Sequence, residues 1–132
     1  MIEIGKRLIG SAEEPYIIAE LSANHGGSLE RAKQTIDAAK AAGAHAVKIQ
    51  TYTPDTMTID CSREDFQITR GLWKGYSLYQ LYSLAQTPYE WHQDIFNHAK
   101  KNVITLFSTP FDESAVELLE NLDTPAYKLA SF

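Results

Sequence analysis

Short apolar runs alternate with amphipathic segments along the chain, and this alternation constrains the fold more than any other feature. The runs cover residues 16–21, 46–52, 105–109 and 126–131, and turn or helix-capping residues separate them. A run that is apolar on both faces suits a strand buried in a parallel sheet, and parallel neighbours need crossover connections, usually helices. The sequence therefore predicts an α/β fold with four parallel strands.

Local signals around these runs predict the remaining elements. Gly5 lies between residues 2–4 and 7–9, and glycine at the first turn position suits a two-residue type II′ loop, so we expect an N-terminal β-hairpin. Ser28 and Asp112 are each placed to cap a following helix. The hairpin thus precedes a series of strand-helix units.

Two architectures fit a parallel sheet of this kind, namely a barrel and a doubly wound open sheet. No G-x-G-x-x-G follows the first strand and no G-x-x-x-x-G-K-[ST] occurs, so the nucleotide-binding open sheets lose their best support. Polar residues instead come late in each strand, where barrel enzymes carry their active sites. We therefore expect a TIM (β/α)8-type barrel, with about four βα units (a half barrel) present after the hairpin.

Two lysines occupy strands that should be buried. Lys48 lies between Val47 and Ile49, and Lys128 lies between Tyr127 and Leu129. A buried charge must be paired or directed at a ligand, and two converging lysines are explained by a phosphate or carboxylate between them. Snorkelling or salt-bridged structural lysines and a Schiff-base lysine are the alternatives.

Other polar residues share the same strand ends. Glu20 ends the first strand and is either a general base or a counterion for the lysines. Gln50, Thr109 and Ser131 suit hydrogen bonds to a ligand. The four histidines do not form a metal site together, but His25 follows Glu20 directly in the next loop and either contacts substrate or metal or shapes that loop.

About 35 residues separate the second strand from the next helix, far more than the usual 2–6. This insertion (residues 53–86) is rich in aromatic residues, and its segment 77–85 has helical spacing. Thr87 and Glu90, on either side of Pro88, predict a capping box for the helix that follows. The insertion leaves from the polar strand ends, so it is either a lid over them or a packed excursion on the rim.

Composition excludes several classes of protein. A net charge of −5 argues against a nucleic-acid partner, and no apolar run approaches the ~20 residues needed to span a membrane. The N-terminus lacks the pattern of a signal peptide. The single cysteine, Cys61, gives no sign of an oxidising compartment and is expected to be a buried or idle thiol rather than a nucleophile. The expected location is the cytoplasm.

Taken as an ordered set, four motifs resemble the sialic-acid synthase family over essentially the whole chain. They are I-I-A-E-L-S-A-N-H (17–25), V-K-I-Q-T-Y-T-P-D-T (47–56), F-S-T-P-F-D (107–112) and A-Y-K-L-A-S-F (126–132). The resemblance implies condensation of phosphoenolpyruvate with the open-chain aldehyde of an N-acetylated amino sugar. Water and a divalent metal, Mn2+ or Mg2+, take part. A nine-carbon 2-keto sugar acid forms, and phosphate leaves by C–O cleavage.

Within the family, the insertion looks most like the branch that uses a 2,4-diacetamido-2,4,6-trideoxy hexose, with N-acetylmannosamine as the next candidate substrate. The resemblance assigns the phosphoenolpyruvate anion to Lys48, Lys128, Thr109 and Ser131. It makes Glu20 an acid/base or orienting carboxylate, and it places Gln50, Asn24 and His25 near the sugar. Glu20, Lys48 and Lys128 are thus the candidate catalytic residues.

The family also implies parts that this chain lacks. Its members have a complete eight-stranded barrel, a C-terminal antifreeze-like domain and a homodimeric assembly, and their metal ligands fall outside residues 1–132. We therefore expect this chain to be the N-terminal half of a barrel domain, without activity alone, or a half barrel that self-associates. A non-catalytic half-barrel binding module is the alternative from another class.

Overall fold

A computed structural model describes residues 1–131. The strands are β1 (Ile2–Ile4), β2 (Arg7–Ile9), β3 (Ile18–Glu20), β4 (Ala46–Thr51) and β5 (Thr105–Pro110). The helices are α1 (Leu29–Ala41), α2 (Pro54–Met57), α3 (Leu78–Ala85), α4 (Tyr89–Lys101) and α5 (Glu113–Asn121), with a short 3₁₀ turn at Glu64–Phe66. Strands β3, β4 and β5 form a parallel sheet in chain order, which confirms the predicted α/β class.

The strand register decides which residues share a face of this sheet. Glu20 pairs with Lys48, and Gln50 pairs with Thr109. Paired residues of neighbouring strands project from the same face, and side chains alternate between faces along a strand. Glu20, Lys48, Gln50 and Thr109 therefore project from one face, which we call the polar face.

The opposite face of the sheet carries the hydrophobic core. Helices α1 and α4 pack against each other and against this face, because their apolar stripes and the alternate residues of β4 and β5 are mutually buried. Ile36, Val47, Ile49 and Ile95 have no exposed surface. The core thus fixes the strands from behind and leaves the polar face for the candidate site.

The N-terminal hairpin forms as predicted, with Ile2 paired to Ile9 and a positive φ of 65° at Gly5. A Cβ on Gly5 would lie 2.6 Å from Thr105 Oγ1, so the turn packs tightly on the first residue of β5. The hairpin therefore lies at the amino end of the sheet. Two clefts of about 430 and 630 Å3 flank its turn, at the end of the sheet opposite the predicted site.

The fourth predicted strand, 126–131, is reduced to a single parallel bridge between Ser108 and Tyr127. Beyond it, the Lys128 amide donates to the Ser108 carbonyl at 3.0 Å. The side chains of Tyr127 and Leu129 are 37% and 82% exposed, so this segment pairs along one edge without a packed face to hold it. Of the roughly four βα units predicted, residues 1–131 contain three, and the fourth is present only as this bridge.

Two of the three predicted helix caps form and the third does not. Ser28 accepts a hydrogen bond from the Arg31 amide and Asp112 accepts one from the Ala115 amide. Helix α4, in contrast, has Pro88 as its N-cap and no side-chain cap, so the predicted Thr87 capping box does not form. None of the helices in residues 1–131 is long and apolar enough to cross a membrane.

Candidate anion-binding site at the strand ends

Three of the predicted site residues meet on the polar face. Lys48 Nζ lies 2.7 Å from Glu20 Oε2 and donates to Thr109 Oγ1 at 3.3 Å. Lys48 is largely buried, with 14% of its side chain exposed, whereas the side chain of Glu20 is 46% exposed. We call Glu20, Lys48 and Thr109 the strand-end cluster.

The cluster forms because three parallel strands bring these side chains to one level. Glu20 and Lys48 are register partners on β3 and β4, and Thr109 projects from the same face of β5, where its side chain is buried. An ammonium group has three N–H donors. Two of them serve Glu20 and Thr109, so one donor is left for a further acceptor.

Lys128 follows the strand-end cluster on the next segment of chain. A parallel bridge joins Tyr127 to Ser108, and the Lys128 amide donates to the Ser108 carbonyl, so the backbone of Lys128 lies next to β5. Its side chain is exposed. Two lysines and one glutamate give this group of residues a net positive charge, which matches an anionic ligand.

Gln50 is held at the cluster by a residue that the sequence did not single out. The Ser22 hydroxyl donates to Gln50 Oε1 at 3.0 Å, and Ser22 adopts a φ of 53°. A left-handed conformation in a non-glycine residue costs roughly 1–3 kcal/mol and is concentrated at functional sites. The only signal in the sequence was a polar residue two positions after Glu20.

The structure separates the other predicted residues from the strand-end cluster. Asn24 is exposed, and its amide closes a turn with the Leu21 carbonyl at 2.9 Å. Ser131 is exposed, and no hydrogen bond joins it to the cluster within residues 1–131. His25 is fully buried, and both of its ring nitrogens are engaged inside the protein. Burial lowers the pKa of His25.

The insertion contacts the carboxyl end of β4 through Tyr82 of α3. Tyr52, the residue after β4, makes edge contacts with Tyr82 and with Phe111, at centroid distances of 5.9 and 5.5 Å. Burial, with a smaller effect from Tyr82, raises the pKa of Tyr52 to about 12. The predicted helix in 77–85 is present as α3, whereas Leu72 at the outer part of the insertion is 99% exposed.

The described residues do not fit a divalent metal. Within residues 1–131, no three His, Cys, Asp or Glu side chains come close enough together to hold a metal ion. Glu20, the carboxylate of the strand-end cluster, is already paired with Lys48. The strand-end cluster itself offers an ammonium group and a hydroxyl that can bind an anion, and a carboxylate that can exchange a proton.

Comparison with known families decides what this arrangement belongs to. The sequence profile of the NeuB family matches residues 35–132. The chain belongs to the NeuB family. The resemblance seen in the ordered motifs is thereby confirmed. Five of the candidate site residues lie within the matched region, namely Lys48, Gln50, Thr109, Lys128 and Ser131.

Individual relatives point to one branch of the NeuB family. Pseudaminic acid synthase of Campylobacter jejuni is 57% identical over 117 residues, which are 89% of this chain and 34% of that enzyme. Pseudaminic acid synthase of Helicobacter pylori is 48% identical over 120 residues, 91% of this chain and 35% of that enzyme. The chain thus spans about a third of the length of these relatives.

A solved structure shares the architecture. The crystal structure of N-acetylneuraminic acid synthetase from Leptospira borgpetersenii, in complex with citrate, superposes with a TM-score of 0.78 at 26% sequence identity. The match covers 97% of this chain and 40% of that one. The α/β arrangement of this NeuB-family chain is therefore that of a sialic-acid synthetase over the same region.

Proposed function

We propose that the protein condenses phosphoenolpyruvate with a 2,4-diacetamido-2,4,6-trideoxy hexose, giving phosphate and a nine-carbon 2-keto sugar acid, pseudaminic acid. The observation that carries this proposal is the strand-end cluster, in which Lys48 Nζ bonds both Glu20 and Thr109. The identities of 57% and 48% to two pseudaminic acid synthases favour this hexose over N-acetylmannosamine.

The same proposal includes the complete fold. We infer that residues 1–132 are the first part of a (β/α)8 barrel whose remaining units complete the polar face. The strands follow one another in the sheet in chain order, and α1 and α4 both pack on one side of it, as in a barrel wall. The superposition on the Leptospira structure at a TM-score of 0.78 supports this assignment.

Binding of phosphoenolpyruvate follows from the charges of the site. Lys48 is anchored by Glu20 and Thr109 and presents its third N–H to the anion, and Lys128 adds a second positive charge from the adjacent segment. Because Thr109 Oγ1 accepts from Lys48, its own hydroxyl hydrogen is placed to donate to a ligand oxygen. Charge-assisted bonds of this kind are the strong ones.

The reaction then needs one proton acceptor close to the bound anion. C3 of phosphoenolpyruvate forms the new bond to the aldehyde carbon, the aldehyde oxygen takes up a proton from solvent, and water adds to the cationic C2 that results. Glu20 accepts a proton from that water and returns it to solvent, and Lys48 stabilises its carboxylate. Collapse of the C2 hydroxyl to a ketone breaks the bond from C2 to the phosphate oxygen, and the departing phosphate takes up the hydroxyl proton. No step is assigned to a metal, because the described residues offer no ligand set for one.

The test uses the intact protein with phosphoenolpyruvate labelled with 18O at the bridging oxygen. Incubated with the diacetamido hexose, it should give a nine-carbon keto acid and 18O-labelled phosphate, because C–O cleavage leaves that oxygen on phosphorus. Unlabelled phosphate would refute the proposed route. Faster turnover of N-acetylmannosamine than of the diacetamido hexose would instead refute the assigned sugar.

A further inference from the structure

Two buried histidines converge on the residues where the insertion rejoins the fold. His25 Nε2 lies 3.2 Å from Thr87 Oγ1, and His92 Nδ1 lies 3.0 Å from the Pro88 carbonyl oxygen. Both imidazoles have no exposed surface. Residues 87 and 88 are therefore held by one histidine from the loop after β3 and by another from α4.

The bonds of His25 define its tautomer. The Gly27 amide donates to Nδ1 at 3.1 Å, so Nδ1 is unprotonated and Nε2–H donates to the Thr87 hydroxyl oxygen. The ring also packs edge-on against Trp91 of α4, with 5.5 Å between the ring centroids. His25 thereby connects the loop that follows Glu20 to the end of the insertion and the start of α4.

The bonds of His92 lead to the strands of the anion site. Its Nδ1–H donates to the Pro88 carbonyl, so Nε2 accepts from the Thr51 hydroxyl at 2.8 Å. Thr51 Oγ1 in turn lies 2.6 Å from Ser108 Oγ. This buried chain joins α4, β4 and β5 at the residues that adjoin Gln50 and Thr109 in sequence.

His92 thus contacts the strands of the site from their core face, whereas His25 holds the end of the insertion. Thr51 and Ser108 project from the core face of the sheet, and the strand-end cluster projects from the polar face of the same strands. Any rotation or slip of β4 against β5 that breaks the buried chain also changes the distance from Lys48 to Thr109. Burial lowers the pKa of both His25 and His92, which favours the neutral tautomers that these bonds require.

We propose that His25 and His92 are positioning residues, which tie the end of the insertion to the strand ends and so set the geometry of the anion site. This proposal rests on the proposed function, because it takes phosphoenolpyruvate as the ligand of that site. It assigns neither histidine to direct contact with substrate.

Conservative variants remove one hydrogen bond of each imidazole ring from either partner. His92→Asn keeps a donor near the Pro88 carbonyl but no longer reaches Thr51, and Thr51→Val removes the same bond from the other side while preserving shape. His25→Asn and Thr87→Val form the matched pair at the second histidine. His98→Gln is the control, because His98 lies on the same helix but bonds Asp37 at the surface.

Two measurements on the intact protein report separately on ligand binding at the anion site and on the stability of the insertion. Isothermal titration with phosphoenolpyruvate should show a dissociation constant raised about tenfold in His92→Asn and in Thr51→Val, with the double variant no weaker than either single one. Hydrogen exchange should be faster across 78–85 in His25→Asn and Thr87→Val. His98→Gln should behave as the unsubstituted protein in both assays.

A merely structural role predicts a different pattern. Ile95→Val reduces packing in the same helix without touching the buried chain, so it should lower the unfolding temperature and leave the dissociation constant unchanged. If Thr51→Val lost as much stability as Ile95→Val and still bound phosphoenolpyruvate normally, the positioning role of His92 would be refuted. Unchanged hydrogen exchange across 78–85 in both His25→Asn and Thr87→Val would refute the positioning role of His25.

Failure of the unsubstituted protein to bind phosphoenolpyruvate would refute the proposed function, and with it the effect of the histidines on the anion site. Hydrogen exchange would still report whether the histidines anchor the insertion.

Discussion

Replacing Lys48 by methionine removes the ammonium group of the strand-end cluster and keeps an unbranched stem of similar length. The fold should tolerate the change, because the Glu20 side chain is 46% exposed and can be hydrated once its partner is lost. We expect the free energy of unfolding to change by no more than about 1 kcal/mol, the range of partly exposed ion pairs. Binding of phosphoenolpyruvate should suffer much more.

The expected loss of affinity follows from the bond that Lys48 offers. A hydrogen bond to a charged group contributes about 1.5–3 kcal/mol, which corresponds to a dissociation constant raised by roughly 10- to 150-fold. Isothermal titration of the intact protein with phosphoenolpyruvate measures this directly. Circular dichroism of the same samples checks that the variant is folded.

Lys33→Met is the matched control for Lys48→Met. Lys33 lies 3.9 Å from Asp94 at the surface, so its loss removes the same charge from the chain without touching the strand-end cluster. It should bind phosphoenolpyruvate with the affinity of the unsubstituted protein. If both variants lost affinity equally, only net charge would matter, and if neither did, Lys48 would not hold the anion.

Three further changes test other parts of the structure. Glu20→Gln should slow phosphate release by about 10²- to 10⁴-fold, as expected for loss of a general base, while phosphoenolpyruvate binds at least as tightly because a negative charge is gone; equal rates in a phosphate-release assay would contradict the assigned role. Gly5→Ala should lower the free energy of unfolding by about 1–2 kcal/mol, because φ is 65° there, whereas Gly10→Ala should change it by no more than about 0.5 kcal/mol. Thermal denaturation in which Gly10→Ala is the less stable variant would contradict the packing of the hairpin turn on β5. Because burial lowers the pKa of His92 below its usual 6.5, the unfolded chain binds more protons below that pH, so stability should fall as the pH drops from about 6.5; His92→Gln should flatten that dependence in denaturation curves recorded between pH 5 and 7.5.

The elements with complete local signals could be predicted from sequence. The hairpin around Gly5, the caps at Ser28 and Asp112 and the three parallel strands each depend on a few neighbouring residues, so the pattern was sufficient to predict them. Burial was predicted correctly for β4 and β5 but not for β3, where Ile18 is 43% exposed. The fourth strand did not form for a physical reason, since its residues resemble a buried strand but Leu129 is 82% exposed and a single bridge holds the segment. A strand needs neighbours as well as composition.

The candidate site could be predicted from sequence only in part, because only some of its residues carry a local signal. Lys48 and Glu20 stand out because a charge in an apolar run requires a partner, and the structure supplies each with the other. Ser22 and Thr51 gave no such signal, because hydroxyl residues are common in loops and strands and their partners lie far away in sequence. The sequence indicates His25 as a candidate because it lies in the loop after Glu20. Its burial depends on packing against Trp91, which the sequence does not reveal.

The central claim is that Lys48 and Lys128 hold one anion between them, and a crystal structure of the intact protein with phosphoenolpyruvate tests it most directly. Oxygens of the bound anion should lie about 2.7–2.9 Å from Nζ of both lysines, with Thr109 donating to the same ligand. Phosphoenolpyruvate bound elsewhere would contradict the claim. The basic cleft at the hairpin end, which Lys6, Arg7, Lys40 and Lys100 help to line, is the alternative location to inspect.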